Sequence, residues 1–461
     1  VVTEVFFHIA LYRPIGSKSL LLFLKIVLAE CLEDASTQYK ILSLRDIFPT
    51  CRYHPDMYYT VSFATYPPEQ SSNIKIPFLS ATSVVIIYLE KITTANRRTI
   101  WVLSQSPEIL THCVMHLEKQ IGQLLIVGMQ GPLVTTNSPI IRDIHTRNLG
   151  GVILFDRFLH EKQPDNNIIS HQQVKKLVHD LRDNAERPLL IAVDQEGGRV
   201  NRFKAERGFP VTPTAGKLGQ TTGTEQTTIA AEQTAAMLAS LGINLNLAPV
   251  VDLDIFPDNP IIGRHQRSFS SDPAEVTAHA MAWITAHRQH RVKTCIKHFP
   301  GHGSAHADSH LGFVDISNHW HNDEIIPYQN LIDRDMVDAV MTGHLYNRTL
   351  DQDFPATLSH QTVSGLLRAE LNYDGVVLSD DMQMRAITSH YGLEEAVCRA
   401  INAGIDLLIF GNNLDYDPDI TNKAIRAIIK GLRHGTITEE TLTAALERVE
   451  KFKRSLTVEP H

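Results

Sequence analysis

Five short stretches of this 461-residue chain place carboxylates, imidazoles and cations directly after apolar runs. Asp194-Gln195-Glu196-Gly197-Gly198-Arg199 follows Leu189–Val193, and Asp252 and Asp254 follow Asn244–Pro249, ahead of a loop with Arg264 and Arg267. Lys297-His298-Phe299-Pro300-Gly301-His302-Gly303 closes a third run and leads to Asp308-Ser309-His310; His344 and Asp380-Asp381 close two more. A carboxylate just past a buried strand is held rigidly, as a nucleophile aimed at a carbon within roughly 3–3.5 Å must be. Asp380, after Val376-Val377-Leu378-Ser379, has that placement. Strand-end aspartates also serve as metal ligands and helix caps, and the adjacent Asp381 is expected to cap the next helix.

Pro300, Gly301 and Gly303 prevent a regular helix through Gly301–Gly312. Asp308 and His310 stand two residues apart in that loop, so a local turn brings them together. A carboxylate on one imidazole nitrogen sets the tautomer and raises the basicity of the other. Such a histidine can give a proton to a leaving oxygen and later take one from water. The plainer reading of a loop histidine is a solvated side chain. Arg202, Arg267 and Lys297 would donate to hydroxyl or amide oxygens and Asp194 would accept from hydroxyls. The plainer alternative pairs Arg199 and Arg202 with Asp194 and Glu196 as surface salt bridges, and it suits Arg199 better than the rim residues. His298, His302, His306 and His310 recur every four residues. On a helix they would form a metal-ligand face, but the proline and glycines oppose that helix, so no metal and no cofactor is expected.

These residues need a scaffold that brings strand ends together. From about Leu117, short apolar runs alternate with helical patterns. The runs are Leu124–Gly128, Gly151–Phe155, Leu189–Val193, Asn244–Pro249, Lys293–Lys297, Ala339–Thr342, Gly375–Ser379 and Asp406–Phe410. Between them, Val174, Leu177, Val178 and Leu181 repeat at helical spacing, Asp272-Pro273 signals a helix start, and Gly242 signals a stop. Eight strands alternating with helices predict a (β/α)8 TIM barrel over residues 115–456, with its active site on the loops at the C-terminal ends of the strands.

Residues 1–114 read differently. Of 25 glycines, only Gly16 falls before residue 122, and no motif is legible. Val84–Leu89 and Thr99–Leu103 are apolar runs, and Tyr66–Ser72 is loop-like. With Val first and Met115 directly ahead of the barrel pattern, the segment is expected to lie upstream of the natural start; an accessory domain is the competing reading. Leu20–Leu32 is the most apolar stretch, but Lys25 interrupts it short of the ~18 residues a membrane span needs. Its LAEC ending is faintly like a lipoprotein cleavage site, except that Glu30 stands where a small residue belongs. The formal charge of −8 argues against nucleic acid as a partner. Five cysteines without metal-ligand spacing suit a reducing compartment.

Several phrases resemble the bacterial N-acetyl-β-glucosaminidases of glycoside hydrolase family 3: AVDQEGGRVNRF (Ala192–Phe203), GINLNLAPVVDLD (Gly242–Asp254), NPIIGRHQRSFSSDP (Asn259–Pro273), KHFPGHGSAHADSH (Lys297–His310) and GVVLSDDMQM (Gly375–Met384). The resemblance runs from about Leu117 to Phe452, and the KHFPGHG…DSH phrase is its most specific part. It implies that Asp380 forms a covalent glycosyl-enzyme and that His310, oriented by Asp308 on a mobile loop, is the general acid/base. It further implies that Asp194, Arg202, Arg267, Lys297 and His298 hold a terminal N-acetylglucosamine. The implied substrates are muropeptides or chito-oligosaccharides, cleaved by a compact, monomeric, cytoplasmic enzyme of cell-wall recycling with no second α/β domain. The GRHQRSF spacing around Arg267 is longer than the commoner version, which leaves that loop's geometry open. Two other chemistries compete. A neutral imidazole repels an incoming phosphate less than a carboxylate does, which admits a phosphorylase; a metal-dependent barrel hydrolase is the other.

Overall fold

The computed structural model describes residues 107–456, apart from 308–311 and 313, and ahead of them the strand segments 3–15, 18–30, 85–93 and 96–101. Asp308 and His310 therefore lie outside the described residues, as do Tyr66–Ser72 and Cys31. The chain divides into two compact units, Val1–Val114 and Met115–His461. In the first, Thr3–Ile15 pairs antiparallel with Lys18–Glu30 on one side and Val85–Thr93 on the other, and Asn96–Trp101 completes a four-stranded sheet. The apolar run Leu20–Leu32 is thus mostly β-strand. Among the described residues no helix is long and apolar enough to cross a membrane.

The second unit is a closed barrel of eight parallel strands. They are β1 (Leu125–Gly128), β2 (Gly151–Leu154), β3 (Leu190–Val193), β4 (Leu245–Asn246), β5 (Lys293–Phe299), β6 (Ala339–Thr342), β7 (Val376–Asp381) and β8 (Leu407–Phe410). β8 pairs back to β1 through Leu408–Leu125 and Phe410–Val127, which closes the ring. Buried on both faces, these strands read as continuous Val, Ile and Leu rather than as alternation, and all eight expected runs appear in the expected order. β4 is shorter than Asn244–Pro249 because Pro249 has no N–H to give the ladder. The chain nevertheless stays in register: Cys295 N–H donates to Ala248 O at 3.1 Å and Val251 N–H to Lys297 O at 2.9 Å.

The helices form the outer layer. In His171–Asp183 the Ser170 hydroxyl caps the first turn through Gln173 N–H, and Val174, Leu177, Val178 and Leu181 are buried, as their spacing predicts. Asp272 caps Pro273–Gln289 by accepting from Ala274 N–H at 2.8 Å. Gly242 ends Glu225–Ser240 with φ +79°. Gln361–Glu370, after β6, is wound as a π-helix. At the N-terminal end of the barrel, the buried Asp406 carboxylate takes Arg368 and Arg448, each at 2.8 Å.

One irregularity bears directly on the rim. The pairing of β5 with β6 slips between Lys297 and Phe299, which face Met341 and Thr342, so His298 is an extra residue. In a regular strand neighbouring side chains point to opposite faces. The bulge cancels that alternation and lets Lys297 and His298 both reach the loop end of the barrel.

Candidate active site

The end of β3 is the centre of the rim. The Asp194 carboxylate accepts from Lys297 Nζ at 2.8 Å and from Arg202 Nη2 at 3.2 Å. Two residues on, Glu196 takes both arms of Arg267, Nε to Oε2 and Nη2 to Oε1, at 2.7 Å each, and Lys297 Nζ at 2.8 Å. A doubly hydrogen-bonded guanidinium holds its plane as well as its position. Gly197 and Gly198 make this packing possible. They turn the chain with φ +106° and +58°, and an added Cβ would lie 2.1 Å from Pro213 O or 2.2 Å from Thr214 Cγ2. The turn sends Arg202 back beside Asp194, and the Gln195 side-chain oxygen fixes the return by accepting from Arg202 N–H at 3.0 Å.

These charges lie out of water. Burial alone would raise the Glu196 carboxyl, but the charges and hydrogen bonds of Arg267 and Lys297 outweigh it and hold it at about 2. Burial would likewise raise Asp194, and Lys297 and Arg202 bring it down. Burial would lower Lys297, and Asp194 and Glu196 raise it. Asp194, Glu196 and Lys297 are therefore all ionised at neutral pH.

A cavity of about 420 Å³ opens at this rim, and Asp194, Arg202, Arg267 and Asp380 line it. Asp380 stands at the end of β7, with one carboxylate oxygen accepting from Asp381 N–H at 2.8 Å. Lys297 and His298 are buried, at 2% and 6% exposure, and back this wall by gripping Asp194, Glu196 and Arg267. His298 Nδ1 meets Asp252 Oδ2 at 2.7 Å, and Arg267 Nη2 meets His298 Nε2 at 3.3 Å.

Several sequence expectations need correction. Asp381 caps no helix. It accepts from Gln383 N–H at 3.0 Å and Gly411 N–H at 2.9 Å, tying the end of β7 to the end of β8. Glu196 is no surface partner of Arg199: it is buried against Arg267, while Arg199 is exposed and has no hydrogen-bond or ion partner among the described residues. Arg202 does pair with Asp194, but on the cavity wall. No helix carries the described histidines of the four-residue series, as the proline and glycines require, and the His298 and His302 rings meet edge to face at 5.7 Å. His298 turns to Asp252, whereas His306 stacks between Phe256, at 4.0 Å, and His319, at 4.1 Å.

Two acids escaped the sequence reading. Asp156, just past β2, is buried against Lys204 Nζ at 2.7 Å and lies 3.7 Å from Arg202 Nη1. It obeys the same strand-end rule as the five clusters and was legible by it. Glu324, on a short 3-10 helix, accepts from Gly303 N–H at 2.9 Å beneath the start of the 301–312 arm; no local pattern announces it. Asn259 holds the same place from the other side, donating to His302 O at 2.7 Å and Gly303 O at 3.0 Å.

A closed eight-stranded barrel with carboxylates and cations converging on a cavity at its C-terminal rim defines the class of (β/α)8-barrel enzymes. Residues 116–452 match the model of the glycosyl hydrolase family 3 N terminal domain, and the chain belongs to that family. It is 38% identical over 270 residues to a beta-hexosaminidase of Tolumonas auensis, across 58% of this chain and 76% of that protein. It is 30% identical over 347 residues to beta-hexosaminidase A of Pseudoalteromonas piscicida, covering 70% of this chain but only 56% of that protein's length. Among solved structures, the beta-N-acetylhexosaminidase of Beutenbergia cavernae matches with a TM-score of 0.64 and 30% identity, over 73% of this chain and 98% of that one.

Proposed function

We propose that this chain is a retaining exo-β-N-acetylglucosaminidase that removes terminal non-reducing N-acetylglucosamine. Asp380 attacks C1 while His310, oriented by Asp308, protonates the leaving oxygen. Water activated by His310 then releases the sugar with its β configuration kept. Asp194, Arg202 and Arg267 hold the sugar's hydroxyl and amide groups, with Lys297 and His298 behind them. The names of the relatives support the sugar, and the observation that carries the reading is that Asp380 shares one cavity with the Asp194, Arg202 and Arg267 side chains. Trapping with a 2-acetamido-2-deoxy-5-fluoro glycosyl fluoride tests it. The labelled peptide is expected to carry the sugar on Asp380, and a label on any other residue overturns the assignment.

The substrate we infer is a peptidoglycan-derived muropeptide, whose aglycone bears carboxylates. Two arginines at the cavity support this. Arg157 is half-exposed with its nearest carboxylate, Asp156, at 3.9 Å, and Arg199 is exposed without a partner among the described residues. Guanidinium groups so placed suit a carboxylate at the leaving group. Comparing kcat/KM for N-acetylglucosaminyl disaccharides with acidic and neutral aglycones decides it. A preference for the acidic one that Arg199→Ala abolishes is expected, and equal rates refute it. The same reading has the enzyme act as a cytoplasmic monomer, in keeping with the free, buried Cys295 and Cys398; analytical ultracentrifugation and cell fractionation test both points.

A further inference from the structure

Asp252, just past β4, is fully buried. One carboxylate oxygen accepts from two backbone groups, His298 N–H at 3.1 Å and His302 N–H at 2.8 Å. The other meets His298 Nδ1 at 2.7 Å. Burial would raise this carboxyl, but its contacts with His298 and His302 outweigh it and bring it below the usual range. Asp252 therefore stays anionic and can only accept, so the proton of this contact sits on Nδ1. The far side of the ring agrees: Arg267 can only donate, and its Nη2 lies 3.3 Å from Nε2, which must present its lone pair.

A chain of single-direction hydrogen bonds thus runs from Arg267 through the imidazole to Asp252. Arg267 is gripped on its other edge by Glu196, so its plane is set from both sides. We propose that Asp252 is a positioning residue that fixes the His298 tautomer, and through it the Arg267 guanidinium on the cavity wall, while its second oxygen ties the chain at His302 to the same point. This rests on the reading of that wall as the sugar-binding surface. Asp252 does not line the cavity, so its effect on the wall is indirect, and its one side-chain hydrogen bond toward Arg267 is the one through His298.

The full-length chain labelled with 15N-histidine provides the direct test, the His298 signals being assigned by their loss in His298→Gln. In the unsubstituted protein His298 is expected to show a protonated Nδ1 and an unprotonated Nε2. Asp252→Asn should move it away from that pattern and weaken binding of free N-acetylglucosamine about tenfold, the loss of one charge-assisted hydrogen bond. In the Asp252→Asn/His298→Gln double variant the weakening should not exceed that of His298→Gln alone. An unchanged tautomer in Asp252→Asn, or additive losses in the double variant, overturns the proposal. Should Asp252→Asn fail to fold, Arg267→Met decides from the other side: Nδ1 keeps its proton if Asp252 governs the ring, and loses it if Arg267 does. Absence of N-acetylglucosamine binding by the unsubstituted protein would instead sink the sugar reading and leave the tautomer result standing.

Discussion

Arg267 and Glu196, 71 residues apart, meet edge to edge through two hydrogen bonds of 2.7 Å, with side-chain exposures of 9% and 5%. Removing one partner of a buried pair leaves the other's charge uncompensated, which costs about 3–5 kcal/mol. Glu196→Gln should therefore lower stability by about 3 kcal/mol, read by urea unfolding. It should weaken N-acetylglucosamine binding about thirtyfold, as a loss of about 2 kcal/mol implies. An unchanged unfolding midpoint with unchanged affinity would contradict the role given to this pair.

The same carboxylate makes the fold acid-sensitive. Its folded value of about 2 lies below its ordinary 4.5. The unfolded chain binds the extra proton between these values, so the contribution is complete above 4.5 and is lost as pH falls toward about 2. Glu196→Gln should flatten the stability profile across that interval. A profile as steep as that of the unsubstituted protein would assign the acid sensitivity to other groups.

Glu324 behaves in the opposite sense. Burial beneath the arm raises it from 4.5 to about 7, and the Asp252 charge adds to the rise. Here the folded state holds the extra proton, so stability declines as pH rises from 4.5 to about 7 and does not decline further on this account. The span is about 3 kcal/mol at most. Glu324→Gln keeps the acceptor for Gly303 N–H and should remove the decline. Chemical denaturation across that interval checks it; the same slope in both proteins would refute it.

Lys453, 4% exposed, reaches under the barrel to Gln123 Oε1 at 2.9 Å and Gly150 O at 2.6 Å. Burial, with the Arg187 charge adding to it, lowers the amine from 10.5 to about 7. The unfolded chain holds the extra proton between those values, so stability rises with pH across them. Lys453→Met should abolish that rise, and Gln123 Oε1, left without its donor, should cost about 1–3 kcal/mol above pH 10.5, whereas Gly150 O keeps the Leu190 N–H at 3.1 Å. Thermal melts along the series read both effects, and a persisting rise would place the titrating group elsewhere.

If His310 is the general acid, His310→Ala should slow cleavage of disaccharides by roughly 10²–10⁴-fold and of nitrophenyl glycosides far less, because only the poor leaving group needs the proton. Steady-state rates on the two substrates make the comparison. Equal losses would remove His310 from that role.

The barrel was legible because buried parallel strands read as short Val/Ile/Leu runs whatever surrounds them; Ala339–Thr342 agrees to the residue. Helix starts were legible for the same local reason, since Asp272 and Pro273 act within one turn. Motif spacing likewise brought Asp194, Arg202, Arg267 and Asp380 to one rim, because each follows a strand end and the strands run parallel. Only the tertiary structure decided which charge meets which. Glu196 turns inward to Arg267 rather than outward to Arg199, since two glycines reverse the chain between them. Lys297 and His298 share one end of the barrel through an extra residue in β5, and Asp381 joins β7 to β8 instead of capping a helix. Local periodicity specifies which face of an element is buried; the partner of a buried charge depends on distant chain returning to the same few ångströms, and no window along the sequence contains both.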